Sequence, residues 1–82
     1  SVAWKIIIDN INEILFEYEF ERVDYVAKPG DFSVRGGIID VFSFSNQYPY
    51  RIEFYDNIVE SLRTFNIENQ LSIKNYNTIY VS

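Results

Sequence analysis

The residue types that most often do chemistry in proteins are thinly represented in this sequence. It contains no His and no Cys, so carboxylates, Lys, Tyr and hydroxyl groups remain for acid–base or nucleophilic work. Asp9, Glu13 and Glu17 recur at helical spacing, but on the polar side of an amphipathic segment, where acidic residues are ordinary. Without His and Cys, a zinc site of the usual kind also lacks its ligands. The sequence therefore predicts no catalytic set, no metal and no cofactor.

Two further features, a glycine pair and an acidic residue within a strand, could suggest a functional site but also have structural interpretations. The Gly36-Gly37 pair lacks the lysine and the following helix of a phosphate-binding loop, so it predicts either a tight hairpin or a bulge where a backbone approaches closely. Asp40 interrupts an apolar strand. It could hydrogen-bond a turn, pair with an Arg or mark a strand face turned to solvent, and the sequence leaves these alternatives open.

Alternation within one strand indicates a binding function instead. Polar and apolar side chains alternate through residues 50–55, which places Arg51, Glu53 and Tyr55 together on one face. Arg35 projects from the polar side of an earlier strand, and the four form one patch if the two strands are neighbours. Arg and Tyr are enriched at interface hot spots, and Arg presents a planar fork of donors to a carboxylate. The alternative is an ordinary solvated sheet face.

A helix and a series of short strands are expected to position these residues. Between Trp4 and Tyr18 apolar residues recur every three or four positions, as on one face of an amphipathic helix. Later runs predict strands at 22–27, 32–35, 38–44, 50–55, 59–65, 71–73 and 78–81. Hairpin-length connections favour antiparallel pairing. The predicted fold class is α+β, with the N-terminal amphipathic helix packed on a twisted, mainly antiparallel β-sheet in a single domain over 1–82.

The bulk composition argues against several classes of protein. With 82 residues, 48% hydrophobic and 18% aromatic, the chain predicts one small folded domain and not a disordered segment. A net charge of −5 opposes the positive field of nucleic-acid binders, so no direct nucleic-acid contact is expected. The longest apolar run, 6–8, is far shorter than the roughly 18 residues of a membrane span. We expect a soluble protein without membrane contact, and a cytoplasmic location suits the absence of Cys.

Four segments are similar to the domain that the UvrB and Mfd families share. They are residues 20–24, 30–42, 50–55 and 59–65, within a resemblance that runs in order from roughly Ile11 to Ile73. The stretch RGGIIDVF at 35–42 is closer to Mfd, the transcription-repair coupling factors, because UvrB usually places an acid after the first Gly. Three positions depart from the family: Ser43 replaces a common Pro, Glu19 replaces a common Gly, and Ile58 replaces a usual acid. The role of Ile58 stays open.

The resemblance implies a UvrA-contacting domain excised from a much larger bacterial Mfd chain, whose ATP-dependent DNA translocase motor lies elsewhere. It implies that this piece is not an enzyme, and that it recruits UvrA to lesion-stalled RNA polymerase in nucleotide excision repair. The family's contact residues correspond to Arg35, Arg51 and Glu53, with Tyr55 in place of a common Phe. One alternative is that the same face holds another domain of its own chain in an autoinhibited form. Others are the equivalent domain of a UvrB-like protein, or a hydrolase acting through Asp40 or Glu53.

Overall fold

A single six-stranded sheet accounts for the folded framework. The computed structural model describes residues 19–56 and 58–76. The strands are β1 (Glu21–Arg22), β2 (Asp31–Arg35), β3 (Ile38–Val41), β4 (Tyr50–Tyr55), β5 (Ile58–Phe65) and β6 (Ser72–Asn75). Their order in the sheet is their order in the chain. Four of the five neighbouring pairs are antiparallel, and only β1 and β2 run parallel.

The predicted α+β fold class is wrong for the part of the chain that the structure describes. Those residues contain no helix and form an all-β sheet, because their apolar side chains recur with the period of two that buries one face of a strand. Residues 19–56 and 58–76 therefore include no helix that is long and apolar enough to cross a membrane. The amphipathic helix predicted between Trp4 and Tyr18 lies outside the described residues, as does the strand predicted at 78–81.

The strand predicted at 22–27 is also wrong beyond its first residue, because Arg22 ends β1 and the rest of the segment is a loop. The Asp31 carboxylate accepts hydrogen bonds from the backbone N–H groups of Ala27 and Lys28, at 3.0 and 3.1 Å. The Lys28 ammonium donates to the other Asp31 oxygen at 2.9 Å. These bonds close a compact turn at the end of the segment. The Val23 N–H still donates to the Phe32 carbonyl oxygen at 2.8 Å, but residues 24–27 belong to no strand.

One face of the sheet carries the hydrophobic core. The buried cluster consists of Phe20, Phe32, Ile39, Val41, Ile52 and Leu62. Pairing in register places Ile39 opposite Ile52 and Ile52 opposite Leu62, so the core is a row of aliphatic side chains across β3, β4 and β5. The alternation in each strand therefore leaves the opposite face to polar residues.

That opposite face carries two cross-strand rows of mostly polar side chains. The first row contains Ser33, Asp40, Arg51 and Arg63, and the second contains Arg35, Ile38, Glu53 and Ser61. The strands that carry Arg35 and Arg51 are not neighbours, because β3 lies between them. Any contact between these arginines must therefore pass over β3.

The Gly36-Gly37 turn joins β2 to β3, and each glycine fulfils one of the two alternatives raised by the sequence. Gly36 has φ of +59°, the left-handed region that glycine reaches at little cost. Gly37 lies against β4, where its carbonyl accepts a hydrogen bond from the Phe54 N–H at 2.8 Å. A Cβ at position 37 would lie 2.7 Å from the Phe54 carbonyl oxygen. The pair therefore combines a tight turn with a close backbone approach.

Candidate functional site

Asp40 occupies the centre of the polar face, on the strand between β2 and β4. It is 1% exposed. Its Oδ1 accepts a hydrogen bond from Arg51 Nε at 2.8 Å, and its Oδ2 accepts from Arg51 Nη2 at 3.0 Å and from Arg35 Nη2 at 3.2 Å. Of the three alternatives for Asp40, pairing with an Arg is confirmed. One buried carboxylate thus joins both arginines that the sequence nominated.

Arg51 is held from several directions, and its side chain is only 12% exposed. Its guanidinium lies over the Phe65 ring, with 4.1 Å between Arg51 Cζ and the ring centroid. Nη2 also donates to Gln70 Oε1 at 2.8 Å. The hydrogen bond to Asp40 raises the pKa of Arg51 above its ordinary value, against the opposing effect of burial. Arg51 therefore carries its charge in a fixed orientation.

Arg35 is the more accessible of the two arginines that contact Asp40, with 32% of its side chain exposed. Its Nη1 donates to Ser33 Oγ and to the Asp24 carbonyl oxygen, both at 3.0 Å. The Tyr25 ring covers the guanidinium at 4.7 Å. Tyr25 belongs to the loop between β1 and β2, where alternation predicts a strand. Its contact with Arg35 could therefore not be inferred from alternation.

Glu53 is engaged by an arginine that the sequence did not nominate. Arg63 Nη2 donates to Glu53 Oε1 at 2.5 Å, and Arg63 Nη1 donates to Ser61 Oγ at 2.6 Å. The side chains of Arg63 and Glu53 are 18% and 36% exposed. Alternation in β5 does place Ser61 and Arg63 on one face. Their partner across the strand depends on the register of β4 with β5, which the sequence does not contain.

Two exposed apolar side chains mark the end of the face at the β4–β5 hairpin. Tyr55 and Ile58 are opposite each other in the register and are 69% and 61% exposed. Most of their apolar surface therefore remains in water. Ile58, whose role the sequence leaves open, is thus an exposed apolar point on the surface.

We call this surface the docking face, and it consists of Arg35, Asp40, Arg51, Glu53, Tyr55, Ile58 and Arg63. This definition includes the four residues nominated from the sequence, and their contact with a partner stays a prediction. Its three arginines oppose two carboxylates, a net charge of +1 on a chain whose formal charge is −5. Both Asp40 oxygens are occupied by guanidinium groups, which suits the orientation of arginines better than acid–base chemistry.

A face that combines fixed guanidinium groups with exposed aromatic and aliphatic side chains is characteristic of a protein-interaction domain. Comparison with known families agrees with this class. The chain matches the UvrB interaction domain over residues 2–82 and belongs to that family.

Similar proteins carry the name transcription-repair-coupling factor. The one from Bacillus subtilis (strain 168) is 42% identical over 73 residues, which is 89% of this chain and 6% of that protein. The one from Staphylococcus epidermidis (strain ATCC 12228) is 36% identical over all 82 residues, which is 7% of its length. The one from Escherichia coli (strain K12) is 32% identical over 60 residues, 73% of this chain and 5% of that protein. The chain thus spans a small fraction of these relatives.

Proposed function

We propose that this domain docks UvrA, and that it does so as the part of a transcription-repair coupling factor that recruits UvrA to RNA polymerase stalled at a lesion. Membership of the UvrB interaction domain family and the names of the relatives support this proposal. The single observation that carries it is the docking face, where two arginines share Asp40 and the exposed Tyr55 lies farther along the same strand as Arg51. A bacterial cytoplasmic location follows from this role and remains a prediction.

The charges of the docking face indicate how a partner would be held. Arg35 is the most exposed of its three arginines, so it is the first candidate to meet a carboxylate of UvrA. Glu53 is more than one-third exposed and keeps one oxygen beyond its contact with Arg63, so it can accept a hydrogen bond from the partner.

Tyr55 and Ile58 supply exposed apolar surface at the end of the docking face. An aromatic ring that becomes buried in a protein interface typically contributes about 2 kcal/mol or more when it is a hot spot. Because Tyr55 is 69% exposed in this chain, its removal should cost little folding stability. It is therefore the residue whose loss separates binding from folding most cleanly.

The test is a calorimetric titration of UvrA into the 82-residue chain and into Tyr55→Ala. We expect the affinity for UvrA to fall at least tenfold, which corresponds to about 1.4 kcal/mol, while circular dichroism and urea denaturation show an intact fold. Ile73→Ala is the matched control, because Ile73 is an exposed aliphatic residue that borders a cleft with Tyr50 and Thr64 on the opposite face. Its affinity should equal that of the unmodified chain.

Two results would contradict the proposal. If UvrA does not bind the unmodified chain, the proposed function is wrong. If Tyr55→Ala binds as tightly as Ile73→Ala, the binding surface lies elsewhere. The alternative that the face holds another domain of the same long chain predicts that the remainder of that chain binds the domain in trans and that UvrA competes with it.

A further inference from the structure

We propose that Asp40 is the positioning residue of the docking face: it orients Arg35 and Arg51 before a partner arrives, without touching the partner itself. This inference rests on the proposed function and deepens it. Asp40 is 1% exposed, so its carboxylate is covered by the two arginines that it holds. Its role would be to fix where the positive charges lie.

The geometry of the three hydrogen bonds supports this role. Nε and Nη2 of Arg51 contact separate oxygens of Asp40, which is the bidentate arrangement that fixes the plane of a guanidinium group. Arg35 Nη2 donates to the same Oδ2 that Arg51 Nη2 uses. The two arginines, whose strands are separated by β3, therefore have a fixed spacing that neither strand alone could impose.

Neighbouring side chains restrict the two arginines further. The Phe65 ring supports one face of the Arg51 guanidinium, and Gln70 accepts from its Nη2. Tyr25 and Ser33 hold Arg35 in a corresponding way. A long flexible side chain loses rotamer freedom when it is immobilised at an interface, and preorganisation in the unbound protein removes that loss from the binding step.

The arrangement also defines the chemical group that completes it. Two guanidinium groups share one carboxylate, so the trio carries a net charge of +1. Contacts among the described residues use Nε and Nη2 of Arg51 and both Nη atoms of Arg35. The donors that remain for a partner are Nη1 of Arg51, Nε of Arg35 and the second N–H of Arg35 Nη2. A carboxylate side chain of the partner would complement the charge and accept hydrogen bonds from these donors.

The experiment compares Asp40→Asn with Asp31→Asn. Asp31 is a matched control because it is also a buried carboxylate on the same strand as Arg35, yet it pairs with Lys28 and contacts neither arginine of the trio. Arginine Nε–H resonances, measured by NMR without UvrA, report the order of the two guanidinium groups. Surface-based kinetics then give the association and dissociation rates of UvrA.

In Asp40→Asn we expect the Arg51 guanidinium to move among several orientations, so that its Nε–H signal is averaged. UvrA binding should weaken at least tenfold. Asp31→Asn should leave the Arg51 Nε–H signal unchanged while the chain is folded, because the Asp31 carboxylate bonds to Ala27 and Lys28 and not to Arg51. If Asp40→Asn does not fold, Arg51→Lys tests the same point, because it keeps the charge beside Asp40 but removes the bidentate fork. Arg51→Lys should likewise weaken binding at least tenfold.

Some results would contradict the positioning role of Asp40, and a different result would contradict UvrA docking. An ordered Arg51 signal in Asp40→Asn, or unchanged UvrA affinity in Asp40→Asn or Arg51→Lys, would overturn the positioning role while leaving UvrA docking intact. Equal averaging of the Arg51 Nε–H signal in Asp40→Asn and Asp31→Asn would overturn it too, since the effect would then be one of general stability. Absence of UvrA binding by the unmodified chain would overturn the proposed function itself, and the titration of that chain shows this independently of any variant.

Discussion

Arg51 donates two hydrogen bonds to the carboxylate of Asp40, from Nε to Oδ1 at 2.8 Å and from Nη2 to Oδ2 at 3.0 Å. The acid is buried, and most of the arginine is covered as well. Arg51 is therefore both a candidate contact for a partner and a part of the folded framework. Substitutions at this position must be examined for stability before any loss of binding is interpreted.

Loss of the Arg51 guanidinium should destabilise the fold. Arg51→Ala leaves the buried Asp40 with Arg35 as its remaining charged partner, and removal of one member of a buried ion pair typically costs on the order of 3 kcal/mol. Urea denaturation measures this loss. In a double-mutant cycle, Arg51→Ala combined with Asp40→Asn should cost less than the sum of the two single substitutions, because a neutral amide does not require a counter-charge. Strict additivity would show that the two side chains are not coupled.

The Glu53–Arg63 pair allows stability and recognition to be separated by a charge swap. Because both side chains are partly exposed, each single substitution, Glu53→Arg or Arg63→Glu, should destabilise by only about 1 kcal/mol. The double swap restores an ion pair between the strands and should recover most of that loss. It should not recover UvrA affinity, because the acid then lies on β5 and not on β4. Recovery of full affinity would show that the pair matters only for folding.

The stability contributed by Asp31 should depend on pH. Burial alone would raise the pKa of Asp31, but hydrogen bonds from the Lys28 ammonium and from the Ala27 and Lys28 backbone outweigh it and hold the pKa below its usual value. A lowered folded-state pKa contributes stability above the pKa of the unfolded chain, and this stability is lost as the pH falls through the folded-state pKa.

The comparison with Asp31→Asn makes this measurable. The unmodified chain should exceed the variant in unfolding free energy by about 1.5 kcal/mol at pH 7, as expected for hydrogen bonds to a charged group. The difference should shrink as the pH falls below about 4, the ordinary carboxyl range. Urea denaturation at pH 7, 5 and 3 provides the data. A difference that stays constant over this range would mean that the charge of Asp31 does not stabilise the loop.

The two glycines of the β2–β3 turn should differ in their tolerance of alanine. Gly36→Ala meets no atom within 4 Å but places a Cβ residue at φ of +59°, which costs roughly 1 to 2 kcal/mol. Gly37→Ala places its Cβ against the Phe54 carbonyl oxygen, a backbone atom that cannot rotate away. Thermal denaturation should therefore show a larger loss for Gly37→Ala. The reverse order would indicate that the turn conformation limits stability more than the approach to β4.

The local alternation of the chain correctly anticipated much of the sheet. The predicted strand 50–55 coincides with β4, and its polar side chains do share one face. The strand predicted at 59–65 becomes Ile58–Phe65. The segment 22–27 shows the limit of this signal, since it alternates in sequence but leaves the sheet after β1 and ends in a turn that the Asp31 carboxylate closes. Alternation reports which side chains can share a face only if the backbone is extended.

The sequence by itself determined which side chains of β4 share a face. Its ordered motifs also indicated a family resemblance, which comparison with known proteins supports. Only the tertiary structure placed Asp40 between Arg35 and Arg51 and brought Arg63 to Glu53. The reason is that periodicity is a property of one strand, whereas these contacts depend on strand order and register. Arg35 and Arg51 form one site because β3 separates their strands and supplies the buried carboxylate that joins them.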